Sequence, residues 1–526
     1  MIVRSPFPDV TIPAVPFTQF VYQRAQSLTT KPALIDGPTG RMLTFGQLAG
    51  AIRLVAASLA QRGLQKGDVF AIYSPNLPEY AIAFHAVATA GGTVTTVNPL
   101  YTVHELTHQL QDANAKYLLT IPQFMATAQE AAKAAGIREL FVFGEAEGAT
   151  PFGSLLRSDG YLPPIAIDPH KDIVVLPYSS GTTGLPKGVM LTHYNLTTNI
   201  AQLAGMPTTE TSVIESDVVM GILPFFHIYG IMVIMNYALY MGATVVTMPR
   251  FDMEQFLHII QQHKVSYANL VPPIILGLTK HPLVDKYNLS SLRCLTSAAA
   301  PLGADVEQAC QQRLGCVVMQ GYGMTEASPA THIRNNVHLP GKTGSVGQCI
   351  PNTECKIVDI ATGAALGPKQ EGEVWIRGPQ VMMGYLNNPT ATANTVDREG
   401  WLHTGDIGYV DEDGYFYIVD RLKELIKYKG FQVAPAELEA LLLSHPAIAD
   451  AAVIGKADEE AGEVPKAFVV TKGDITTDAI LAFVAERVAP YKKIRAIEIV
   501  TQIPKSAAGK ILRRVLVDQE RAKTAG

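Results

Sequence analysis

The part of this chain best suited to chemistry is a cluster of glycines and hydroxyls between residues 178 and 189, directly after an apolar run at 173–176. Glycines free the backbone to wrap an anion, while hydroxyls, amide N–H groups and an ammonium can donate to phosphate oxygens. The members of this loop are Ser179, Ser180, Gly181, Thr182, Thr183, Gly184, Lys187 and Gly188. The pattern lacks the Gly-Lys-Ser/Thr ending of a Walker A loop. It indicates a nucleotide-phosphate site, with an ordinary glycine-rich surface turn as the alternative.

Four further strings follow in order along the chain. They are GYGMTE (residues 321–326), GEVWIRG (372–378), GWLHTGDIGYVDEDGYFYIVDRLKELIKYKG (400–430) and PKSAAGK (504–510). With SSGTTGLPKGV, they resemble the adenylate-forming (ANL) superfamily of acyl-CoA synthetases, luciferases and carrier-loading adenylation domains. They look most like 4-coumarate:CoA ligases and their bacterial relatives. The resemblance spans nearly the whole chain, from about residue 44 to 516.

The resemblance implies a reaction in two steps. A carboxylate attacks the α-phosphate of ATP and releases pyrophosphate, and the thiol of CoA then attacks the acyl-adenylate and releases AMP. ATP, CoA and Mg²⁺ are thus expected, with a small-molecule carboxylic acid as substrate. Glu326 would hold the magnesium, a hard cation that prefers oxygen ligands. Without the other motifs, Glu326 would be interpreted as a carboxylate in the first turn of a helix.

The same resemblance assigns the nucleotide contacts. Asp406 could accept hydrogen bonds from both ribose hydroxyls, and Arg421 could donate to the same sugar. Lys510 would reach the charge that develops between carboxylate and α-phosphate, where a cation favours the transition state. The predicted catalytic residues are Lys510, Thr325 and His227. The predicted nucleotide-binding residues are Ser179, Ser180, Gly181, Thr182, Thr183, Gly184, Lys187, Gln320, Gly321, Tyr322, Thr325, Asp406, Arg421, Lys423, Lys427 and Lys510.

Lys423 lies where the family places a hinge between its adenylation and thioester-forming orientations. The resemblance implies that a small C-terminal domain swings about this point, so that one active site serves both half-reactions. Arg250, Lys429 and Gly430 are the predicted CoA contacts. For Arg250 and Lys429, a solvated surface charge is the alternative interpretation.

The string LPFFHIYG places His227 and Tyr229 where related ligases line the acyl pocket. Hydroxycinnamate ligases carry polar Asn and Ser three and four residues after the tyrosine, but this chain carries Met232 and Val233. A site without polar partners discriminates poorly against a substrate that lacks a ring hydroxyl. A 4-coumarate- or cinnamate-type acid is therefore the predicted substrate, with a medium- or long-chain fatty acid as the alternative. The predicted acyl-pocket residues are Tyr229, Val233, Ala299, Gly321, Gly323, Pro329 and Ala330.

Alternating strand and helix patterns must position these residues. Apolar residues recur every three or four positions after Thr44, and Thr44 with Gln47 predicts a capping box, as does Thr102 with Glu105. Strand-like runs at 69–73, 93–97 and 117–121 alternate with helical patterns, which indicates parallel strands covered by helices. The predicted fold is α/β: a large N-terminal domain, residues 1–420, with several subdomains whose mixed or parallel sheets are sandwiched by helices. A small mobile α+β C-terminal lid domain, residues 421–526, follows the hinge near Lys423.

Composition narrows the class of protein. A chain of 526 residues with 48% hydrophobic residues exceeds a single small module, so two or more cores are expected. A net charge of -5 argues against a nucleic-acid partner. The five cysteines show no CxxC spacing, so neither a disulfide framework nor a structural zinc site is predicted. No signal peptide or membrane segment is recognised, and we expect a cytoplasmic monomer or homodimer.

Three alternatives remain open at this level. A luciferase-type oxygenase or a carrier-loading adenylase would share most motifs. A P-loop kinase or ATPase would release ADP, whereas the ligase releases pyrophosphate and AMP. A catalytically silent nucleotide-binding protein is disfavoured because Thr325, Glu326, Asp406, Arg421 and Lys510 occur together.

Overall fold

A computed structural model describes residues 1–179, 186–335, 341–429, 431–458, 460–506 and 509–524. The predicted site residues Ser180, Gly181, Thr182, Thr183, Gly184 and Gly430 lie outside these ranges. Within them the strands form four sheets, here named A to D.

Sheets A and B share one large core. Sheet A contains, in spatial order, Gly384–Tyr385, Lys187–Thr192, Ile173–Ser179, Thr93–Val97, Val69–Tyr73, Ala115–Thr120, Glu139–Val142 and Thr150–Pro151. Sheet B contains Gln348–Cys349, Ala330–Ile333, Val317–Gly323, Cys294–Ser297, Tyr267–Leu270, Val218–Gly221, Thr244–Thr247, Pro32–Asp36 and Met42–Thr44. The inner strands pair in parallel and are buried on both faces, as their continuous apolar runs predict. Both sheets contribute buried side chains to the same hydrophobic cluster.

Sheets C and D are smaller. Sheet C is antiparallel and contains Ile2–Arg4, Glu354–Val358, Gly372–Arg377, Leu402–Val410 and Phe416–Arg421. Sheet D contains Phe431–Val433, Ile426–Tyr428, Gly462–Thr471 and Ile448–Asp458, with Ala496–Ile499 added in parallel to Gly462–Thr471. The chain leaves sheet C at Arg421 and enters sheet D at Ile426, which is where the sequence predicts the hinge segment.

The helices predicted after Thr44 and Thr102 are present as Phe45–Gln61 and Val103–Asp112. The α-helices are Phe17–Val21, Phe45–Gln61, Pro78–Thr89, Val103–Asp112, Met125–Ala135, His193–Ala204, Tyr237–Met241, Met253–His263, Pro272–Lys280, Ala304–Leu314, Pro389–Thr395, Pro435–Ser444, Thr477–Ala485 and Arg513–Thr524. Short 3₁₀ segments are Pro122–Phe124, Phe152–Arg157, Pro282–Lys286, Thr325–Ala327 and Pro490–Lys492. Both predicted capping boxes are confirmed, at Thr44 and at Thr102.

One helical segment is not a regular α-helix. The apolar stretch after Tyr229 begins as a π-helical segment, Gly230–Asn236, before the α-helix Tyr237–Met241 and the strand Thr244–Thr247. π-helical turns are rare and often occur at functional sites. In the described part of the chain, no helix is both long and apolar enough to cross a bilayer.

Candidate active site

A cavity of about 1720 Å³ opens where sheets A, B and C meet the C-terminal elements. The predicted site residues that line it are Ser179, Lys187, His227, Tyr229, Val233, Ala299, Gln320, Gly321, Tyr322, Gly323, Thr325, Glu326, Pro329, Ala330, Asp406, Arg421, Lys423 and Lys510. These residues come from strand ends and loops that are far apart in the sequence. The fold therefore brings most of the predicted site together in one concave space.

One end of the cavity is built to receive anionic oxygens. Ser179 and Lys187 are directly opposite each other on antiparallel strands, so the glycine-rich loop leaves and re-enters sheet A at this point. Ser179 Oγ donates a hydrogen bond to Glu326 Oε1 at 3.0 Å. The ammonium of Lys187 lies 4.6 Å from the ring centre of Tyr385. The ammonium of Lys187, the hydroxyl of Ser179 and the carboxylate of Glu326 thus lie where the two ends of the loop join sheet A.

Glu326 is held from two further directions. It lies in the 3₁₀ turn Thr325–Ala327, which follows the strand Val317–Gly323 of sheet B. The hydroxyl of Tyr385 donates to Glu326 Oε1 at 2.8 Å, and the amide of Met382 donates to the Glu326 carbonyl at 2.8 Å. Burial, followed by the negative charge of Glu326, raises the pKa of Tyr385 and keeps that phenol a donor. The carboxylate is therefore fixed at the edge of the cavity beside Thr325.

Asp406 and Arg421 form the neighbouring polar wall. They are directly paired on adjacent strands of sheet C, and Arg421 Nε lies 3.5 Å from Asp406 Oδ1. The hydroxyl of Tyr322 donates to Asp406 Oδ2 at 2.6 Å. Burial and the charge of Asp406 raise the pKa of Tyr322. A carboxylate that is oriented by a phenol and faces a guanidinium can bind vicinal hydroxyls.

Lys510 reaches the cavity from the C-terminal domain. Its loop closes through hydrogen bonds from Ser506 N to the Lys510 carbonyl, at 2.7 Å, and from Lys510 N to Ser506 Oγ, at 3.1 Å. Burial and the positive charge of Arg421 lower the pKa of Lys510 to about 8, although Asp406 and other carboxylates act in the opposite direction. The structure thus places the C-terminal lysine next to the Asp406–Arg421 pair, in contact with the large domain.

His227 lies near Lys510 in the same cavity. Burial, with a smaller effect from the charge of Lys510, lowers the pKa of His227 to about 4. Its Nδ1 accepts a hydrogen bond from the amide of Tyr229 at 3.3 Å. The imidazole is therefore neutral near pH 7 and can offer a hydrogen bond without carrying a charge.

The apolar end of the cavity lies beyond His227. The hydroxyl of Tyr229 faces Asn269 Oδ1 at 3.3 Å and the Thr296 carbonyl at 3.4 Å. Val233 lines this end, whereas Met232 does not contribute to the wall and is buried in the core. In the loop after the strand Cys294–Ser297, Ala299 has a φ of 73°, in the left-handed region that disfavours a residue with a Cβ.

Four residues predicted to bind the nucleotide or CoA do not point freely into the cavity. The Gln320 side chain lines the cavity, but it exchanges hydrogen bonds with the backbone of Leu302 and donates to Glu307 at 2.9 Å. Lys427 and Arg250 are exposed and lie outside the cavity wall. Lys429 is also exposed and outside the wall, and it pairs with Glu460. In this orientation of the domains, these three basic residues are not part of the cavity that holds Lys510.

Two site residues were missed by sequence reasoning. Tyr385 anchors Glu326 from a two-residue strand of sheet A, and no local pattern marks it. Asn269 is a polar residue within the strand Tyr267–Leu270, all four of whose residues are buried, and that contrast was the available signal. Its presence corrects the expectation that the acyl end offers no polar partner after Met232 and Val233 replace Asn and Ser.

Comparisons with known proteins agree with this geometry. Residues 21–386 match the family model described as AMP-binding enzyme, and residues 437–510 match the AMP-binding enzyme C-terminal domain. The chain is 44% identical to 4-coumarate–CoA ligase 1 of Solanum tuberosum and 45% identical to 4-coumarate–CoA ligase 5 of Oryza sativa subsp. japonica; both matches cover 98% of this chain and 96% of the relative. A solved anthranilate CoA ligase in complex with anthranoyl-AMP superposes with a TM-score of 0.90 at 26% identity, covering 98% of both chains.

The chain therefore belongs to the family of AMP-binding enzymes. It is an AMP-forming acid–thiol ligase, which uses ATP to join a carboxylic acid to CoA through an acyl-adenylate. The predicted fold is likewise confirmed: a large N-terminal α/β domain and a small C-terminal domain.

Proposed function

We propose that the acid activated by this ligase is a 4-coumarate-type acid, a phenylpropenoate with a ring hydroxyl. The observation that carries the proposal is Asn269. Asn269 lines the cavity, and its buried Nδ2 has no hydrogen-bond partner among the described residues. A buried amide without a partner costs about 1–3 kcal/mol, which a substrate hydroxyl could recover by accepting its hydrogen bond. The curated relatives named 4-coumarate–CoA ligase support the same choice.

We further propose the roles of the nucleotide-facing residues. Ser179, Lys187 and Thr325 contact the phosphates, together with the loop residues Ser180, Gly181, Thr182, Thr183 and Gly184. Asp406 and Arg421 hold the ribose, next to Gln320, Gly321 and Tyr322. In the first step a substrate carboxylate oxygen bonds to the α-phosphorus, and the bond from that phosphorus to the pyrophosphate oxygen breaks. Lys510 lies beside Arg421 and Asp406, so its ammonium can stabilise the charge that spreads over the phosphorane oxygens.

Glu326 is the proposed holder of Mg²⁺. Among the described residues, its two side-chain hydrogen bonds, from Ser179 and from Tyr385, both reach Oε1. Oε2 is the oxygen that would be available to a hard cation at the edge of the cavity. When bound, the ion would reduce the negative charge of the phosphates. The chain itself supplies the fixed carboxylate and the two donors that orient it.

The second step requires a different domain arrangement. We propose a large domain of residues 1–420 and a lid domain of residues 421–526, with a hinge near Lys423. Rotation about this hinge would withdraw Lys510 and bring Lys427, Lys429 and Gly430 towards CoA, while Arg250 contacts a CoA phosphate. The exposure of Lys427, Lys429 and Arg250 in the present orientation supports such a role. A cytoplasmic monomer or homodimer stays a prediction from the sequence.

A substrate panel tests the proposed acid. Pyrophosphate release would be compared for 4-coumarate, cinnamate, octanoate and palmitate under identical conditions. We expect 4-coumarate to have the highest kcat/KM. Highest activity with octanoate or palmitate would establish the fatty acyl alternative, which the apolar wall at Val233 and Ala299 would accommodate.

The substitution Asn269→Leu tests the residue that carries the proposal. It removes the amide donor with little change in volume. Because a neutral hydrogen bond contributes about 1 kcal/mol net, the ratio of kcat/KM for 4-coumarate over cinnamate should fall about fivefold. Cinnamate lacks the hydroxyl and serves as the internal control. An unchanged ratio, with both acids affected equally, would show that Asn269 does not recognise the hydroxyl.

A further inference from the structure

A second cluster of chemically active side chains lies behind the nucleotide end of the cavity. His332 lies on the strand Ala330–Ile333 of sheet B, directly opposite Cys349 on the neighbouring strand. Cys355 lies on the strand Glu354–Val358 of sheet C. His332 is 1% exposed, and both cysteines are fully buried. Two sheets therefore direct one imidazole and two thiols into the same enclosed space.

The spacing of these atoms suits a soft metal ion. His332 Nε2 lies 3.4 Å from Cys349 Sγ and 3.4 Å from Cys355 Sγ. One ligand atom from each of the three residues lies within 4.8 Å of the others. A tetrahedral Zn²⁺ ion with bonds of about 2.3 Å to sulfur and about 2.0 Å to nitrogen separates the nitrogen from each sulfur by about 3.5 Å. His332 Nε2 thus already lies at the distance from each sulfur that a bound ion requires.

Neighbouring hydrogen bonds select the required form of the imidazole. Thr331 Oγ1 donates to the carbonyl of Tyr322 at 3.1 Å, which leaves its oxygen lone pairs free to accept. The same oxygen lies 3.0 Å from His332 Nδ1, so Nδ1 carries the proton and donates to it. The lone pair of Nε2 then points at the two sulfurs. An outer partner that fixes the tautomer in this way is typical of metal-ligating histidines.

We propose that His332, Cys349 and Cys355 form a buried Zn²⁺ site that joins sheets B and C. Two thiolates and a neutral imidazole balance the charge of Zn²⁺, whereas Cu⁺ would leave a net negative charge in an enclosed space. Binding forms two Zn–S bonds and one Zn–N bond, and it releases one proton from each thiol. A small exogenous ligand such as water would complete the tetrahedron.

The site would support the nucleotide pocket from behind. The His332 ring lies 5.6 Å from the ring of Tyr322, whose hydroxyl orients Asp406, and 4.4 Å from the ring of Phe416. Without the ion, the His332 Nε2 atom and the two thiols would be buried with only each other as side-chain partners among the described residues. We therefore expect metal loss to lower thermal stability and to weaken ATP binding, while the chemical step itself does not pass through the ion.

Metal content and cobalt spectroscopy test the proposal. The full chain, untagged and purified without chelator, should contain about one equivalent of zinc by mass spectrometric elemental analysis. The variants Cys349→Ala and Cys355→Ala should each contain at least tenfold less zinc than the wild type. Cys310→Ala is the matched control, because Cys310 is also fully buried but lies on the helix Ala304–Leu314, outside the cluster. Replacement by Co²⁺ should give thiolate-to-cobalt absorption in wild type and control only.

Wild-type protein alone also decides the question, should a variant fail to fold. Chelator treatment should lower the melting temperature, and added ZnCl₂ should restore it. The proposal is overturned if wild type dialysed against ZnCl₂ holds no zinc, if folded Cys349→Ala retains a full equivalent, or if the protein takes up Cu⁺ in preference to Zn²⁺. A Cys349–Cys355 disulfide in protein purified under reducing conditions would overturn it as well.

Discussion

Lys510 differs from an ordinary surface lysine because it is buried among both positively and negatively charged side chains. Burial and Arg421 disfavour the ammonium, while Asp406, Glu424 and Glu326 favour it, and the resulting pKa is about 8. A lysine with this pKa is still mostly charged at pH 7, so it can stabilise the adenylation transition state. It loses its proton more easily than an exposed lysine does. His227, with a pKa of about 4, stays neutral over the same range. The pH dependence near 8 should therefore report Lys510.

This balance predicts an alkaline limit for the first step. Lys510 is charged below its pKa, so kcat/KM for adenylation should be constant up to about pH 8. Above that pH it should fall tenfold per unit. Lys510→Arg keeps its charge at these pH values, so it should be slower but lack this decline. Pyrophosphate exchange measured from pH 6 to 10 gives both profiles. A wild-type profile that is flat to pH 10 would contradict the assignment.

At the scale of elements, local patterns predicted much of the fold but only part of the site. The capping boxes and apolar periodicities are properties of neighbouring residues, so they fixed helices such as Phe45–Gln61 correctly. Tyr229 directly precedes the π-helical segment and Asn269 lies on a strand of sheet B, so these residues, 40 positions apart, meet only in the folded chain. His332, Cys349 and Cys355 converge from two sheets without any recognisable metal-binding spacing. Such contacts depend on tertiary structure; a polar Asn269 within a buried strand marks the residue but not its partner.

The loop that carries Lys510 depends on one glycine. Gly509 has a φ of 75°, and a Cβ at this position would lie 2.8 Å from Cγ2 of Val271 in the large domain. The left-handed backbone costs another residue about 1–2 kcal/mol, and the contact with Val271 adds to that. The glycine therefore allows the loop to pack closely against the large domain.

Gly509→Ala should accordingly weaken adenylation more than thioester formation. A cost of about 1–2 kcal/mol corresponds to a loss of roughly fivefold to thirtyfold in the first step. Thioester formation from supplied acyl-adenylate should change less, because Lys510 is not needed there. Gly315→Ala is the matched control, since Gly315 has a φ of 65° but open space around its would-be Cβ. Equal losses in both half-reactions of Gly509→Ala would show that the loop does more than deliver Lys510.

On the scale of the whole molecule, the C-terminal domain meets the large one through both polar and apolar contacts. Lys280 Nζ donates to the Leu443 carbonyl at 2.7 Å, and the Gly509 loop meets Val271. Near the joint, Asp420 accepts hydrogen bonds from the amides of Arg421 and Ala436, both at 2.7 Å. Two domains of one chain are expected to move relative to each other unless their interface is large and hydrophobic. The connection between the domains is therefore fixed by hydrogen bonds at Asp420 and is exposed to solvent at Lys423.

Stiffening that segment should separate the two half-reactions. Lys423→Pro fixes φ near −65° and restricts the preceding residue as well, so the domain should no longer reach its second orientation. Adenylation, measured by pyrophosphate exchange, should stay within about threefold of wild type, whereas conversion of supplied acyl-adenylate to the thioester should fall at least tenfold, a barrier increase of about 1.4 kcal/mol or more. Lys423→Ala removes the same side chain without stiffening the backbone and should leave the thioester step largely intact. If Lys423→Pro completed both steps at the wild-type rate, the chain would have to perform thioester formation without rotation at this joint.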